Sequence, residues 1–353
     1  MQDLAKAKYE ELQSKFFKKG IKVAISSGIC YGLYSAFLTL GMSRGVWADW
    51  FGPNSAALSA FVLTYVLGAL GSAVNDTMGG ILCLVESAAQ GKLGDVARCV
   101  KTKPGIVMML CGIIGGPISA TAYVIGLQMA GPMVIPVTAL CSAIGALLGY
   151  FIFKQELNLR MIIGIIICFI ASAIIGGTSF NAIDSKVAFG CLIGFVSAFG
   201  WGIEGCVAGF GTSMIDNKIG VTIRQCTSGL VNMIVLIPIL CVIAGNIGLA
   251  PQLLKEAYTT PAIVFFIVSG LFCELSYSLW YKGNAMCGAA LGMTCNGAYS
   301  FWGPFFCWIL MGVICKESGW MLSPVQWLAA VIMFVGIFLI AMNPLDLFKR
   351  KEN

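Results

Sequence analysis

The chain has 353 residues, of which 58% are hydrophobic and 11% are charged, and it carries a net charge of +6. Soluble globular domains have about 25% charged residues, so this composition excludes a protein whose surface lies mostly in water. The absence of histidine removes the commonest general base and a common metal ligand, which argues against an enzyme or a metal site.

The first predicted element is a short amphipathic helix over 1–20, in which Leu4, Leu12 and Phe16 are roughly aligned among lysines. We expect this helix to lie on the membrane surface. Beyond it, long apolar runs recur to the end of the chain. Because a helix needs about 20 apolar residues to cross the roughly 30 Å hydrocarbon core, these runs predict an all-α polytopic membrane protein. A β-barrel would show alternating strands of about ten residues instead.

Ten transmembrane helices are predicted. They run over 21–41, 56–80, 104–127, 132–153, 160–178, 187–210, 221–244, 261–281, 288–312 and 324–342. With ten spans both termini lie on one side, and if that side is the cytoplasm, eighteen lysines and arginines (Arg224 among them) are inside and four are outside. This positive-inside bias predicts a protein of the cytoplasmic membrane with a cytoplasmic tail over 343–353. It also accounts for the net charge without nucleic acid.

Two helix starts repeat each other. Residues 28–37 (GICYGLYSAF) and 190–199 (GCLIGFVSAF) share the frame G-x-x-x-G-x-x-S-A-F, and KPGIVMM (103–109) parallels TPAIVFF (260–266). A chance match between apolar sequences is the alternative. Because five is odd, the second block of five helices begins on the opposite side of the membrane. The pattern therefore predicts two inverted five-helix repeats, over 21–178 and 187–342, an arrangement typical of secondary transporters.

Two stretches carry a family resemblance. PVTALCSAIGALLGYFIFKQELNLRMIIGIIICFIASAIIGG (136–177) and the looser GMTCNGAYSFWGPFFCWILMGVICKES (292–318) resemble the ten-helix, EamA-like form of the drug/metabolite transporter superfamily. The shared features are a fourth helix with Pro and Gly, an acidic residue after it (Glu156) and a Gly early in the fifth helix (Gly164). The second half departs from this pattern, since Met293 stands where the fourth helix has Pro136. The resemblance implies ten helices around a central cavity that carries small metabolites.

Polar side chains are costly in hydrocarbon, so those inside the predicted helices are expected to face the protein interior. Glu274 is followed by Tyr277 and Tyr281 at helical spacing, and Glu204 shares a stripe with Trp201. Lys282 and Arg224 are the candidate partners of Glu274, although neither is at a clearly compatible depth. The alternatives are that Glu274 is a structural carboxyl and that Glu204 reaches water at the cytoplasmic end. The other candidates for a substrate cavity are Asn296, Tyr299, Trp302, Asn232, Gln225, Tyr123, Tyr31 and Tyr34.

Other polar and sulfur-bearing residues have simpler interpretations. Asn75 and Asp76 follow a long apolar run and are interpreted as marking the cytoplasmic exit of the second helix. Most of the fifteen cysteines fall inside the apolar runs, and none forms a C-x-x-C pair. We interpret them as packing residues rather than redox or metal-binding groups.

These features predict a secondary transporter of a small polar metabolite that works by alternating access. Burial disfavours an ionised carboxylate, so Glu274 first and Glu204 second are the predicted carriers of a coupling proton. Aromatic rings beside a carboxylate also suit an organic cation, and the alternatives are therefore an exporter of amphipathic or cationic drugs and, in another class, a non-transporting receptor or scaffold. No phosphate-binding Gly-Lys loop is present, and no cofactor is expected. The expected partners are the substrate, the lipid bilayer and the proton.

Overall fold

The computed structural model describes residues 2–154, 158–181, 185–211, 214–287 and 289–341. Over these residues the chain is helical and contains no strand, which confirms the all-α prediction. The described part forms seventeen α-helices, named α1 to α17 in chain order. They run over Gln2–Gly41, Val46–Phe51, Leu67–Ala89, Leu93–Cys99, Lys103–Ile113, Thr121–Ala130, Val134–Thr138, Cys141–Phe153, Leu159–Asn181, Ser185–Gly211, Asn217–Val231, Ile237–Ile243, Leu249–Ala257, Ala262–Cys287, Ala289–Asn296, Tyr299–Cys307 and Pro324–Ala341.

Within the described residues, six helical stretches are long and apolar enough to cross a membrane, which supports a membrane protein. They are Lys15–Gly41, Val62–Ala89, Lys103–Thr138, Ser185–Ala208, Asn217–Ile243 and Ala262–Cys287. Four shorter apolar helices are Cys141–Ile152, Leu159–Ile175, Tyr299–Ile314 and Pro324–Ile340. Each of the ten predicted runs thus contains a helical stretch, and turns interrupt some of them, as at 139–140 and 297–298. They are called the first to tenth stretches below: α1, α3, α5–α6, α7–α8, α9, α10, α11–α12, α14, α15–α16 and α17.

The N-terminal segment differs from its prediction, because α1 is one continuous helix of 40 residues rather than a surface helix followed by a span. Gly20, at the predicted junction, stays helical and permits a close approach. A Cβ there would lie 2.7 Å from Cβ of Met286 at the end of α14. The predicted tail over 343–353 and the predicted acidic residue Glu156 lie outside the described residues.

Wider π-helical turns interrupt several stretches. In the third stretch a π turn, Ile114–Ala120, contains Pro117, which has no N–H to donate. Nearby carbonyls find other donors: Ile114 O accepts from the Ser119 hydroxyl at 2.7 Å, and Gly115 O accepts from Trp201 Nε1 at 3.1 Å. Such turns are frequent at functional sites, and this one is next to the charged site described below.

The stretches pack in a regular pattern. The first stretch packs on the eighth and ninth, and the sixth packs on the third and fourth. The second packs on the seventh and eighth, and the seventh also packs on the third. The fifth packs on the tenth. Small residues permit these approaches. A Cβ on Gly28 would lie 2.6 Å from the carbonyl oxygen of Asn296, and a Cβ on Gly190 would lie 2.8 Å from Cβ of Met129. Both glycines open the repeated ten-residue frame.

Candidate functional site

An ion pair lies fully buried inside the bundle. Arg224 on α11 and Glu204 on α10 both have no exposed surface. Arg224 donates to the two carboxylate oxygens of Glu204, from Nε at 2.8 Å and from Nη2 at 3.1 Å. This bidentate geometry gives a strong, charge-assisted interaction. The bundle therefore holds a fixed charge pair where apolar packing would be expected.

Two phenols of α14 complete the pair. The Tyr281 hydroxyl donates to Glu204 at 2.9 Å, and Arg224 Nη2 donates to the Tyr277 hydroxyl at 2.7 Å. The guanidinium carbon is also 3.9 Å from the centre of the Tyr277 ring, within range of a cation–π attraction. Arg224 Nη1 donates to the side chain of Gln225. The predicted residues Glu204, Tyr277, Tyr281 and Gln225 thus meet around one arginine.

Gly115 provides the space for this pair. A Cβ on Gly115 would overlap the Glu204 carboxylate and the Arg224 guanidinium, so only a glycine fits the π turn at this point. A Cβ on the next residue, Gly116, would overlap the Ser228 side chain and lie 3.1 Å from Oδ2 of Asp76. The sequence Gly-Gly-Pro therefore lets the third stretch pass directly against two sets of polar side chains.

A second polar group lies on α3. Asn75 and Asp76 are 1% and 2% exposed, and the helical stretch containing them continues to Ala89. The interpretation that they mark a helix exit is therefore wrong. Asp76 accepts hydrogen bonds from Ser228 and, at 3.3 Å, from Asn75 Nδ2. The Asn75 side-chain oxygen in turn accepts from the Ser269 hydroxyl at 2.6 Å. Polar partners on α11 and α14 explain how these residues remain buried.

Aromatic rings surround a small central cavity. The Tyr31 ring stacks on Tyr299 at 4.1 Å between centroids and meets Tyr34, Trp201 and Tyr123 edge-on at 5.1, 5.7 and 5.8 Å. The cavity measures ≈ 10 Å³, about the space of one water molecule. Its lining residues are Tyr31, Cys141, Trp201, Ser276, Tyr277, Trp280, Asn296 and Tyr299. Because Tyr277 also bonds to Arg224, the aromatic cavity adjoins the ion pair.

Two polar atoms in the cavity wall have no hydrogen-bond partner among the residues that the structure describes. They are the Tyr31 hydroxyl and Trp280 Nε1, on side chains that are only 5% and 6% exposed. Buried polar groups are normally hydrogen-bonded, so each is available to a ligand. Asn296 also lines the cavity and donates to the Ser27 hydroxyl at 2.8 Å.

One end of the bundle, here called the Lys218 end, carries a second ion-pair group. Lys218 pairs with both Glu274 and Glu86, and the Ser278 hydroxyl donates to Glu274 at 2.7 Å. A cavity of ≈ 360 Å³ lies beside them and is also lined by Lys92 and Lys282 among other residues. The predicted partners of Glu274, Lys282 and Arg224, are therefore wrong. Glu274 and Ser278 form a helical stripe beside the one that carries Tyr277 and Tyr281, so the carboxylate faces Lys218 instead.

The opposite end, here called the Arg44 end, has its own ion pair. Arg44 Nη1 lies 3.0 Å from Glu317 Oε1. Nearby, Trp50 Nε1 donates to Glu256 at 3.0 Å. A cavity of ≈ 280 Å³ at this end is lined by side chains that include Thr39 and Trp320. Each end of the bundle thus combines an ion pair with a cavity, and the small aromatic cavity lies between them.

Two predicted site residues lie apart from the rest. The Trp302 ring packs on Phe301, Phe305 and Phe306 rather than in the cavity. Asn232 accepts from the Thr121 hydroxyl at 3.4 Å, and its amide nitrogen has no hydrogen-bond partner within the described part of the chain. Sequence reasoning missed Arg224 as a buried charge. Its place among apolar residues, four positions before Ser228 on the same face, was the available signal.

Comparison with known proteins adds information on the fold. No family model and no curated protein matches the sequence. A solved structure described only as "Crystal structure of protein" is similar to the chain with a TM-score of 0.57. The match covers 95% of this chain and 98% of that chain at 14% identity. At that identity the likeness concerns the fold alone.

The first turn of α11 offers a stability test outside the membrane-spanning part. Asp216 caps this helix by accepting from the backbone N–H groups of Lys218 and Ile219 at 2.9 and 3.3 Å. Partial burial alone would raise the pKa of Asp216, but these hydrogen bonds and Lys92 outweigh it and bring the pKa below its ordinary value. Asp216→Ala is expected to lower the free energy of unfolding by about 1 kcal/mol at neutral pH, whereas Asp216→Asn keeps most of the cap.

The pH dependence of this effect has a definite sign. A carboxyl whose pKa is lowered by folding stabilises the protein above its unfolded-state pKa, and the contribution is lost as the pH falls through the folded-state pKa. The difference between wild type and Asp216→Ala should therefore shrink in acid. Unfolding curves of the detergent-solubilised protein at neutral and acid pH measure it. An Asp216→Asn variant as unstable as Asp216→Ala would contradict the capping role.

Proposed function

We propose that the protein is a secondary transporter that moves a small polar metabolite across the cytoplasmic membrane by alternating access. In this proposal all ten stretches cross the membrane as two inverted five-helix repeats, as in the EamA-like transporters that the sequence resembles. Both termini are cytoplasmic, and the Lys218 end, which also carries Lys92 and Lys282, faces the cytoplasm in accord with the positive-inside rule. Because Arg224 is buried in the bundle, it no longer counts among the cytoplasmic lysines and arginines, but these residues still outnumber those on the outside.

The observation that carries the proposal is the packing pattern of the stretches. Suppose that each stretch is exchanged with its counterpart in the other half, the first with the sixth, the second with the seventh, and so on. The first–eighth contact then becomes the sixth–third contact, the first–ninth becomes the sixth–fourth, and the second–eighth becomes the seventh–third. The second–seventh and fifth–tenth contacts map onto themselves. Two halves related by a two-fold axis would produce this pattern. Such halves can rock around a shared central site.

The charges at the two ends support the same mechanism. An ion pair at each end can hold that end closed, and the cavities of ≈ 360 and ≈ 280 Å³ lie beside these pairs. The central cavity of ≈ 10 Å³ is too small for a metabolite. We propose that breaking one end pair at a time widens the aromatic cavity toward that side. A metabolite there would meet the unpartnered Tyr31 hydroxyl and Trp280 N–H.

One observation favours the exporter of cationic compounds as a second candidate. Five aromatic rings, those of Tyr31, Tyr34, Tyr123, Trp201 and Tyr299, cluster close to the buried pair that contains the Glu204 carboxylate. Rings and carboxylates together attract organic cations. Ranking ligands by charge in the binding screen described next distinguishes the two candidates.

The experiment begins with a thermal-shift screen of the purified protein against metabolites and organic cations, because a ligand stabilises the state that it binds. Compounds that bind are then tested for flux in proteoliposomes with and without a pH gradient. Flux accelerated by the gradient supports a proton-coupled carrier, and flux indifferent to the gradient removes the coupling. Binding without flux would favour the receptor alternative.

A single hydroxyl provides a sharper test of the site. Tyr31→Phe removes an unpartnered hydroxyl while keeping the ring packing, so we expect little change in stability and about a two- to tenfold weaker affinity for the compound found in the screen. Tyr150→Phe, on an exposed tyrosine of α8, is the matched control and should bind like wild type. Unchanged affinity in Tyr31→Phe would place the substrate elsewhere.

A further inference from the structure

In the part of the chain that the structure describes, three carboxylates are buried in the long apolar helices, and they differ in how their charge is matched. Glu204 has Arg224 and Glu274 has Lys218 as ion-pair partners. Asp76 makes no salt bridge with any residue in the described part of the chain, and its hydrogen-bond donors, Ser228 and Asn75, are neutral. Asp76 is thus the exception among the three.

The charges around Asp76 leave one negative charge unbalanced. The charged groups that interact with it electrostatically are Arg224 on α11 and Glu204 on α10. Tyr34, Cys273 and Tyr277 are the titratable groups of α1 and α14 that interact with it electrostatically. Glu204 accepts two bonds from Arg224, so the guanidinium charge is already matched. An ionised carboxylate without its own cation is costly in a buried site.

The space around Asp76 limits what can supply the missing positive charge. Asp76 lines none of the three cavities described above. A Cβ on Gly116 would already lie 3.1 Å from Oδ2 of Asp76. An organic cation has no room here, whereas a proton needs none. Ser228 suits both charge states, because a hydroxyl donates to a carboxylate and can turn to accept from a carboxylic acid.

We propose that Asp76, rather than Glu274 or Glu204, is the binding site of the coupling proton. This inference rests on the proposed transport function. Asp76 lies near the middle of the Val62–Ala89 stretch, where α3 packs on α11, and its hydrogen bond to Ser228 joins the two stretches. Gain or loss of the proton changes the charge at this contact, directly beside the Arg224–Glu204 pair.

Infrared difference spectroscopy of the full chain in lipid nanodiscs tests the site with the proton alone as the ligand. Spectra are compared between about pH 8 and pH 5, above the ordinary pKa of exposed carboxyls, about 4. We expect wild type to gain the C=O band of a protonated carboxylic acid on acidification and Asp76→Asn to lack it. Glu274→Gln, which removes a buried carboxyl that has a lysine partner, is the matched control and should keep the band.

The outcomes separate this inference from the transport function. A band that persists in Asp76→Asn, or a wild type without any band, overturns the assignment. Matching unfolding curves for Asp76→Asn and wild type establish that loss of the band is not loss of the fold. If Asp76→Asn unfolds, Ser228→Ala, which removes the hydroxyl that donates to Asp76, should shift the band frequency instead. Gradient-driven flux with a persistent band would retain the transporter and reject Asp76. A band that depends on Asp76 without flux for any compound would retain the proton site and reject transport.

Discussion

Replacing Arg224 by methionine is expected to lower the free energy of unfolding by about 3–5 kcal/mol, because the Glu204 carboxylate would stay buried without its cation. Both partners are fully buried, so water cannot take the place of the guanidinium. Tyrosine and tryptophan fluorescence during denaturant unfolding in detergent micelles measures the change. This variant should also lose binding of any compound that the wild type binds.

The double variant Arg224→Met with Glu204→Gln separates the loss of the pair from the burial of a lone charge. Removing both charges of a buried pair is often nearly neutral, so most of the lost stability should return. Lys282→Met removes an exposed cation at the Lys218 end and is the control, with an expected change within about 0.5 kcal/mol. A double variant no more stable than Arg224→Met would contradict the explanation.

The second large effect is expected for Gly115→Ala. The added methyl group would overlap the Glu204 carboxylate and the Arg224 guanidinium, and the bond from Trp201 to Gly115 O hinders a shift of the backbone. We expect a loss of about 3 kcal/mol, at the upper end for overpacking, measured by the same unfolding assay.

Gly94→Ala is the matched control for this variant. A Cβ on Gly94 in the short helix α4 would meet nothing within 4 Å. Alanine is favoured over glycine in helices by about 0.5–1 kcal/mol, so this variant should be as stable as wild type or slightly more stable. Equal losses in both variants would contradict the explanation that overlap with the ion pair determines the effect at Gly115.

The helical class followed from the sequence because long apolar runs have few structural solutions in a membrane. Helix limits were less accurate. The second stretch was predicted over 56–80 and lies at Val62–Ala89, because its second half contains Asn75 and Asp76, which resemble an exit to water. Their burial depends on Ser228 and Ser269, far away in the sequence. Hydropathy along one helix contains no information about such partners.

The candidate site was predicted in part for the same reason. Helical spacing identified the interior faces that carry Trp201, Glu204, Tyr277 and Tyr281, since spacing is a local property. It did not identify Arg224 as the residue joining them, because the contacts run between separate helices. Glu274 was assigned to the same face as Tyr277, although the three-residue offset between them directs the two side chains to different neighbours.

None of the fifteen cysteines of the chain forms a disulfide, and eight of them are buried and seven half-buried. The native cysteines can therefore report movement, because a small maleimide reacts only with thiols that are accessible to it. Cys295 lies beside Asn296 at the aromatic cavity, and Cys226 follows Gln225 next to the ion pair. If the halves rock, the alkylation rate at these positions should change when a ligand is added, and mass spectrometry would follow the motion without any engineered label.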